Sequence, residues 1–141
     1  TLSSSSAASD VYKRQVKSVE RTADHAVLIA KHLVGGSINK PLLDGIQKMS
    51  DLASTSFDTA LKSLYKRDYQ LADAILSRTG EIESLEAEVI SEVSRNRLSS
   101  NDASNLRLVL ESLRRMAEYG NDIAEVVLNL TAVERTETSK L

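Results

Sequence analysis

Apolar residues in this chain recur at intervals of three and four along four long segments, and nowhere do they alternate. That spacing gathers them on one face of an α-helix and leaves no half-buried strand to build a sheet from. The first segment runs from about Val11 to Val34, with Val16, Val19, Ala23, Ala26, Ala30 and Leu33 as its stripe, and Gly35 and Gly36 stop it. Asn39 is placed to cap the second, which has Pro41 in its first turn, carries Leu42, Ile46, Met49, Ala53, Phe57, Ala60, Leu61 and Leu64, and ends near Arg67. Asp68 caps a third segment through Leu71, Ala72, Ile75, Ile82, Leu85, Val89 and Val93, with Gly80 as an internal weak point. Ser99 and Asp102 form a capping signal for the last, which continues through Leu106, Val109, Leu110, Leu113, Met116, Ala117, Ile123, Ala124 and Val127 to about Leu130. Short turns between long helices make neighbours antiparallel, so the predicted fold is all-α, an up-and-down helical bundle.

With 141 residues, the chain can bury one core and is short for two domains. Aromatic residues make up only 4% and the net charge is -2, so there is neither a stacking platform for bases nor a basic field for phosphate backbones. Direct nucleic-acid binding is not expected. No apolar run approaches the roughly 20 residues of a spanning helix, which predicts a soluble protein without membrane insertion. The absence of cysteine fits a cytoplasmic setting and excludes thiolate metal sites and thiol nucleophiles. Residues 1–15, TLSSSSAASDVYKRQ, lack an apolar signal core and an initiator Met and read as a non-native or disordered leader, the natural chain being expected to start further upstream. The polar stretch 133–141 is expected to fray.

Two carboxylate pairs stand out against this background. Glu20 and Asp24 close the pentapeptide ERTAD, and Glu118 and Asp122 close EYGND, each on a helix with an apolar stripe. Residues i and i+4 share a helix face, so each pair sets like charges side by side, which costs a few tenths of a kcal/mol unless a cation offsets it. At 100° per residue, Glu111, Glu118, Asp122 and Glu125 fall roughly 120° to 180° from Leu113, and Glu20 and Asp24 roughly 100° and 140° from Val19. Both pairs therefore point away from their own core. Ferritin-like di-iron bundles project their ligands inward and use E-x-x-H, which does not occur here.

Solvated carboxylates with an intrahelical ion pair, Arg107 with Glu111 or Arg114 with Glu118, explain part of this stripe without a ligand. Asp24 and Asp122 have no such offset four residues on, where Leu28 and Val126 stand instead. Apolar residues beside an acidic patch suggest a covered face, and those on the first helix favour self-association, a homo-oligomer or homodimer. His25 adjoins Asp24 and could add a nitrogen ligand, although such a histidine is more often a plain surface residue. His32 fits the C-terminal dipole of its helix. The triplet Asn129-Leu130-Thr131 matches a glycosylation sequon but has no secretory context.

At this point the residues resemble a known family. The segment ALKSLYKRDYQLADAILSRTGEIESLEAEV, residues 60 to 89, is similar to the first two helices of a PhoU-type repeat, and LRLVLESLRRMAEYGNDIAE, residues 106 to 125, to its third. VERTADHAVLIAKHL, residues 19 to 33, resembles the third helix of a preceding repeat. The resemblance implies the last helix of a truncated first repeat at 16–36 and a complete repeat at 37–132, a PhoU-like three-helix repeat with an extra N-terminal helix. In this family, phosphate uptake regulators, each repeat ends in an E(D)-x-x-x-D motif that binds a metal cluster on the bundle surface. Carried over residue by residue, the metal ligands are Glu20, Asp24, Glu118 and Asp122, holding metal ions in an iron- or zinc-type cluster. Their all-oxygen chemistry also suits manganese or magnesium. The chain departs from the family pattern at Thr79 and Gly80, where acids are common, and at Tyr119, where the motif often has Arg.

The implied function is non-enzymatic: metal-dependent contacts with the phosphate transporter ATPase and a sensor histidine kinase that restrain phosphate import and phosphate-starvation signalling, and so bear on transcription regulation. A histidine phosphotransfer module on His25 or His32 is the alternative, but neither HAVLI nor HLVGG has the expected Lys and Gly after the histidine. A carboxylate-metal phosphoesterase would need a recessed pocket and an activated water, which outward carboxylates do not provide.

Overall fold

The computed structural model describes residues 2–34 and 40–140. Five helices follow one another: α1 (Leu2–Val34), α2 (Lys40–Lys66), α3 (Tyr69–Leu76), α4 (Thr79–Arg95) and α5 (Ser100–Ser139). There is no strand among the described residues, and α3 and α4 together form one leg of a four-legged, up-and-down bundle. Residue numbers rise together where α2 meets α5, from Ser56 against Gly120 to Arg67 against Glu134, so these two run parallel. Helix α1 runs against both: Tyr12 reaches Asp58 and Tyr65, while Thr22 to Leu33 lie along Asn105 to Ser112.

Stripes at helical spacing meet in the core as the sequence predicts. Leu42, Ile46, Met49 and Ala53 of α2 pack with Leu106, Leu110 and Leu113 of α5, all essentially without solvent contact. Helix α1 contributes Ala23, Ala26, Val27 and Ala30, and α4 contributes Ile82, Val89 and Val93. The small side chains on α1 let its backbone lie close to its neighbours, whereas the leucines of α5 supply area, each fully buried one worth roughly 1.5–3 kcal/mol. Ala60, Ala72, Ile75, Ala124 and Val127 make a second, smaller cluster at the other end of α5. Phe57 is only partly buried and Leu64 is exposed, while Ala60 and Leu61 between them are buried.

The expected stop at Gly35 and Gly36 and the cap at Asn39 lie outside the described residues. Pro41 does fall in the first turn of α2, where its missing N–H would have had no intrahelical partner. The end of α2 is closed by a backbone device that the sequence hides. Arg67 sits in the left-handed region with φ 51°, the Asp68 N–H bonds the Ser63 carbonyl at 2.9 Å, and the Arg67 N–H bonds Leu64 at 3.3 Å. This is a Schellman stop with arginine where glycine is usual. Asp68 then caps α3 as predicted, its carboxylate accepting from the Gln70 and Leu71 N–H groups at 3.0 and 3.2 Å. Removing that carboxylate in Asp68→Ala should cost about 1 kcal/mol, read as a lower urea midpoint with unchanged slope. A shift under about 0.3 kcal/mol would show the cap to be idle.

Three boundaries differ from the periodicity. The third segment is not continuous: it breaks at Ser77 and Arg78, two residues before Gly80. There the Ser77 and Thr79 hydroxyls donate to the carbonyls of Ala74 and Leu76 at 2.8 Å each, competing with the helical ladder, while Arg78 and Glu81 N–H groups make tight i,i+3 bonds. Gly80 itself lies inside α4 with open space around it. Helix α1 starts at Leu2, well before Val11. Its leader portion is tied down by Tyr12, whose ring stacks on Tyr65 at 5.9 Å and whose hydroxyl donates to Asp58 at 2.8 Å. Burial, then the bond to Asp58, pushes the Tyr12 phenol up to about 12. At the other end, α5 passes Leu130 and continues to Ser139, with Glu134 paired to Arg67 and the Arg135 guanidinium 4.2 Å from the Tyr69 ring centroid. Composition could not reveal these long-range contacts, which favour helix over fraying.

Candidate functional site

All four predicted carboxylates, Glu20, Asp24, Glu118 and Asp122, are exposed. Helix α1 holds the first pair outward because Ala23, Val27 and Ala30 beside it are buried against the bundle. Helix α5 does the same for the second through Ala117, Gly120 and Ala124. The apolar residues one turn further on are also exposed, Leu28 at 58% and Val126 at 51%.

The pairs do not come together. The groove between α1 and α5, about 430 Å³, is lined by Thr22, His25, Ile29, Leu33, Leu108 and Ser112 among others, and none of the four carboxylates borders it. Glu118 turns instead toward the α4 side, where its partner Arg114 also contacts Glu86. Among the described residues, no three His, Asp or Glu side chains are gathered closely enough to hold a metal ion. His25 borders the α1–α5 groove while Asp24 does not, so these consecutive residues look in different directions. His32 is in the last turn of α1 and exposed.

Around the second pair the charges are arranged across helices. Arg114 Nη1 lies 3.9 Å from Glu118 Oε1, and its Nε lies 3.3 Å from Glu86 Oε2 on α4. The expected pair of Arg114 with Glu118 is therefore present, but that of Arg107 with Glu111 is not: Arg115 Nη2 holds Glu111 at 2.9 Å. Arg115 lies four residues C-terminal to Glu111, the orientation the helix dipole prefers for an acid and a base. Glu86, Ile90, Arg107, Leu110, Glu111 and Arg114 line a crevice of about 270 Å³ between α4 and α5. Near the break before α4, Glu81 is already engaged by Arg78, with bonds of 2.8 and 2.9 Å whose pull lowers the carboxyl below its ordinary range.

Glu86 is the residue that the acidic-pair argument missed. Its signal was its position, four after Ile82 and three before Val89, at the border of the α4 stripe. Arg114 holds the matching border place on α5, four after Leu110 and three before Ala117. Each pair supplies two exposed oxygen donors one turn apart, short of the three His, Asp or Glu side chains that a metal group among the described residues would need. They offer no soft ligand and no enclosed pocket for chemistry on a bound substrate.

Compared with known proteins, residues 46–127, more than half of the chain, match the family described as PhoU domain. No curated protein and no solved structure matches the chain.

Proposed function

The chain belongs to the PhoU domain family, and we propose that it restrains phosphate import and phosphate-starvation signalling through metal-dependent contacts with other proteins. The observation that carries this reading is the outward placement of Glu20, Asp24, Glu118 and Asp122 on a bundle of that family. Exposed carboxylates can present a bound cation to a partner without moving the core. One pair on α1 and one on α5 would each take a separate ion, iron, zinc, manganese or magnesium, completed by water. The proposed partners are the phosphate transporter's ATPase subunit and a sensor histidine kinase, and the exposed Leu28 and Val126 supply apolar area beside each acidic pair. No described helix is long and apolar enough to cross a membrane, so such contacts would be made from outside the bilayer.

The metal part is tested by purifying the chain without chelator and measuring bound metal in the wild type, Asp24→Ala and Asp122→Ala. Each variant is expected to lose the share held by its own helix, about half if both pairs load. Unchanged metal in both variants removes the ligand assignment. The regulatory part is tested by pull-down of the transporter ATPase with the wild type and with Glu118→Ala, the variant retaining less ATPase. Equal capture by both would place the contact elsewhere on the molecule.

A further inference from the structure

We infer that the face shared by α1 and α5 docks a second copy of this chain, turned about a two-fold axis parallel to the helices so that each α1 covers the partner's α5. The contact needs no cation and is independent of the metal reading above.

Apolar side chains run along the middle of this face. Val11 and Ile29 on α1 and Leu108, Tyr119 and Val126 on α5 are each half exposed or more, whereas α4 exposes no large apolar side chain among the described residues. At about 100° per residue, Val11 and Ile29 share one line along α1, and Tyr119 and Val126 lie within about 20° of Leu108 on α5. Arg115 also lies near the α5 line, but Glu111 already holds it at 2.9 Å. Between the two lines runs the groove that Ile29 and Leu108 border. A face about 30 Å long and two helices, about 20 Å, wide has an outline of about 600 Å² before side-chain relief is added. That approaches the roughly 800 Å² which each partner gives to a stable interface.

Charge identifies the occupant. On the side of each line away from the groove, α1 carries Arg14 and Arg21 at about 60° and 80° from Ile29, and α5 carries Asp122 and Glu118 at about 40° and 80° from Leu108. Arg14, Arg21 and Asp122 make no ion pair among the described residues, and Glu118 has only Arg114 at 3.9 Å. Counted along the antiparallel helices from Ile29 beside Leu108, Arg14 comes about level with Asp122, Arg21 with Glu118 and Val11 with Val126. One flank of the face is thus basic and the other acidic, at matching heights. A two-fold axis parallel to the helices keeps each height and exchanges the flanks. Arg14 then meets the partner's Asp122 and Arg21 the partner's Glu118, each contact occurring twice, while Ile29 lies over the partner's Leu108. A two-fold axis across the helices would instead lay acidic flank on acidic flank, which charge disfavours.

Sedimentation velocity of the full chain in EDTA, from nanomolar to high-micromolar concentration, tests this. The wild type is expected to pass from monomer to dimer, whereas Ile29→Glu and Leu108→Glu, exposed positions whose change should leave the circular dichroism spectrum unaltered, stay monomeric throughout. Arg14→Asp and Asp122→Arg should each weaken the dimer about tenfold, since each sets like charges together twice across the axis. The double variant carrying both should return to within about threefold of wild type, a rescue that general surface damage would not produce. A monomeric wild type, or a dimer indifferent to both glutamate variants, would overturn the second copy and leave the face to another occupant. A dimer that the glutamates break but the charge exchange does not restore would overturn the placement of α1 on α5. Because EDTA withholds every divalent ion, none of these results bears on the metal reading.

Discussion

Leu113→Ala is expected to lower the unfolding free energy by roughly 3–4 kcal/mol, within the 2–5 kcal/mol that buried leucine truncations cost. Leu113 has no solvent contact and lies in the main cluster, where α5 meets α2. Truncation removes the transfer free energy of the lost methyl groups, and the surrounding leucines and Met49 can close the gap only in part. Alanine is the slightly better helix former, by a few tenths of a kcal/mol, so propensity works against the loss and cannot account for it. Against a total of about 5–15 kcal/mol for a domain of this kind, the change is a large share. Urea unfolding followed by circular dichroism should show a lower midpoint with unchanged slope. Leu108→Ala on the same helix is the matched control, because Leu108 is 60% exposed and should cost under about 1 kcal/mol. A loss at Leu113 no larger than at Leu108 would mean that the core is not where the structure puts it.

Gly120→Leu is expected to cost about 3 kcal/mol or more, for the opposite reason. Gly120 is buried where α5 crosses α2, and a Cβ there would come within 3.3 Å of the Ser56 carbonyl oxygen and 3.4 Å of the Phe57 backbone. Those atoms belong to a helix and cannot rotate aside, so a side chain must push the two helices apart. The strain would spread to the small residues that allow the close approach, Ala117 and Ala124 on α5 and Ala60 on α2. Leaving glycine would by itself gain roughly 1 kcal/mol of helix propensity, which makes the predicted net loss a direct measure of overpacking. Gly80→Ala tests the same propensity without the crowding, since nothing lies within 4 Å of its Cβ position, and it should be neutral or stabilising. Equal midpoint shifts for the two glycines would refute the close approach of α2 and α5.

Gly120 also shows what could be read from the sequence and what could not. The motif EYGND drew attention through its end carboxylates, and the structure does place Glu118 and Asp122 outward. Its central glycine, which sets the helix spacing, gave no periodic signal, because a missing side chain is not an apolar one. The same holds at Gly45, where a Cβ would meet the Val89 methyl at 2.7 Å. Stripe residues from Ala23 to Val127 were legible because their spacing and their burial have one cause. The break before α4 was not, since Ser77 and Thr79 act through hydroxyl bonds that composition does not order, and glycine was the more obvious suspect. Cross-helix charges were hardest: pairing rules along one helix find Arg114 with Glu118 but cannot bring in Glu86, which the packing of α4 supplies.

The break at Ser77 divides the molecule into unequal cooperative parts. An eight-residue helix does not persist in water by itself, so α3 is held by Ala72 and Ile75 against Ala124 and Val127, with Asp68 fastening its start. None of those apolar contacts belongs to the main cluster. Detachment of α3 would thus strip cover from the distal ends of α2 and α5 while the packing around Leu110 and Leu113 stays closed, a fault line built into the chain at which the distal corner can open and reclose without global unfolding.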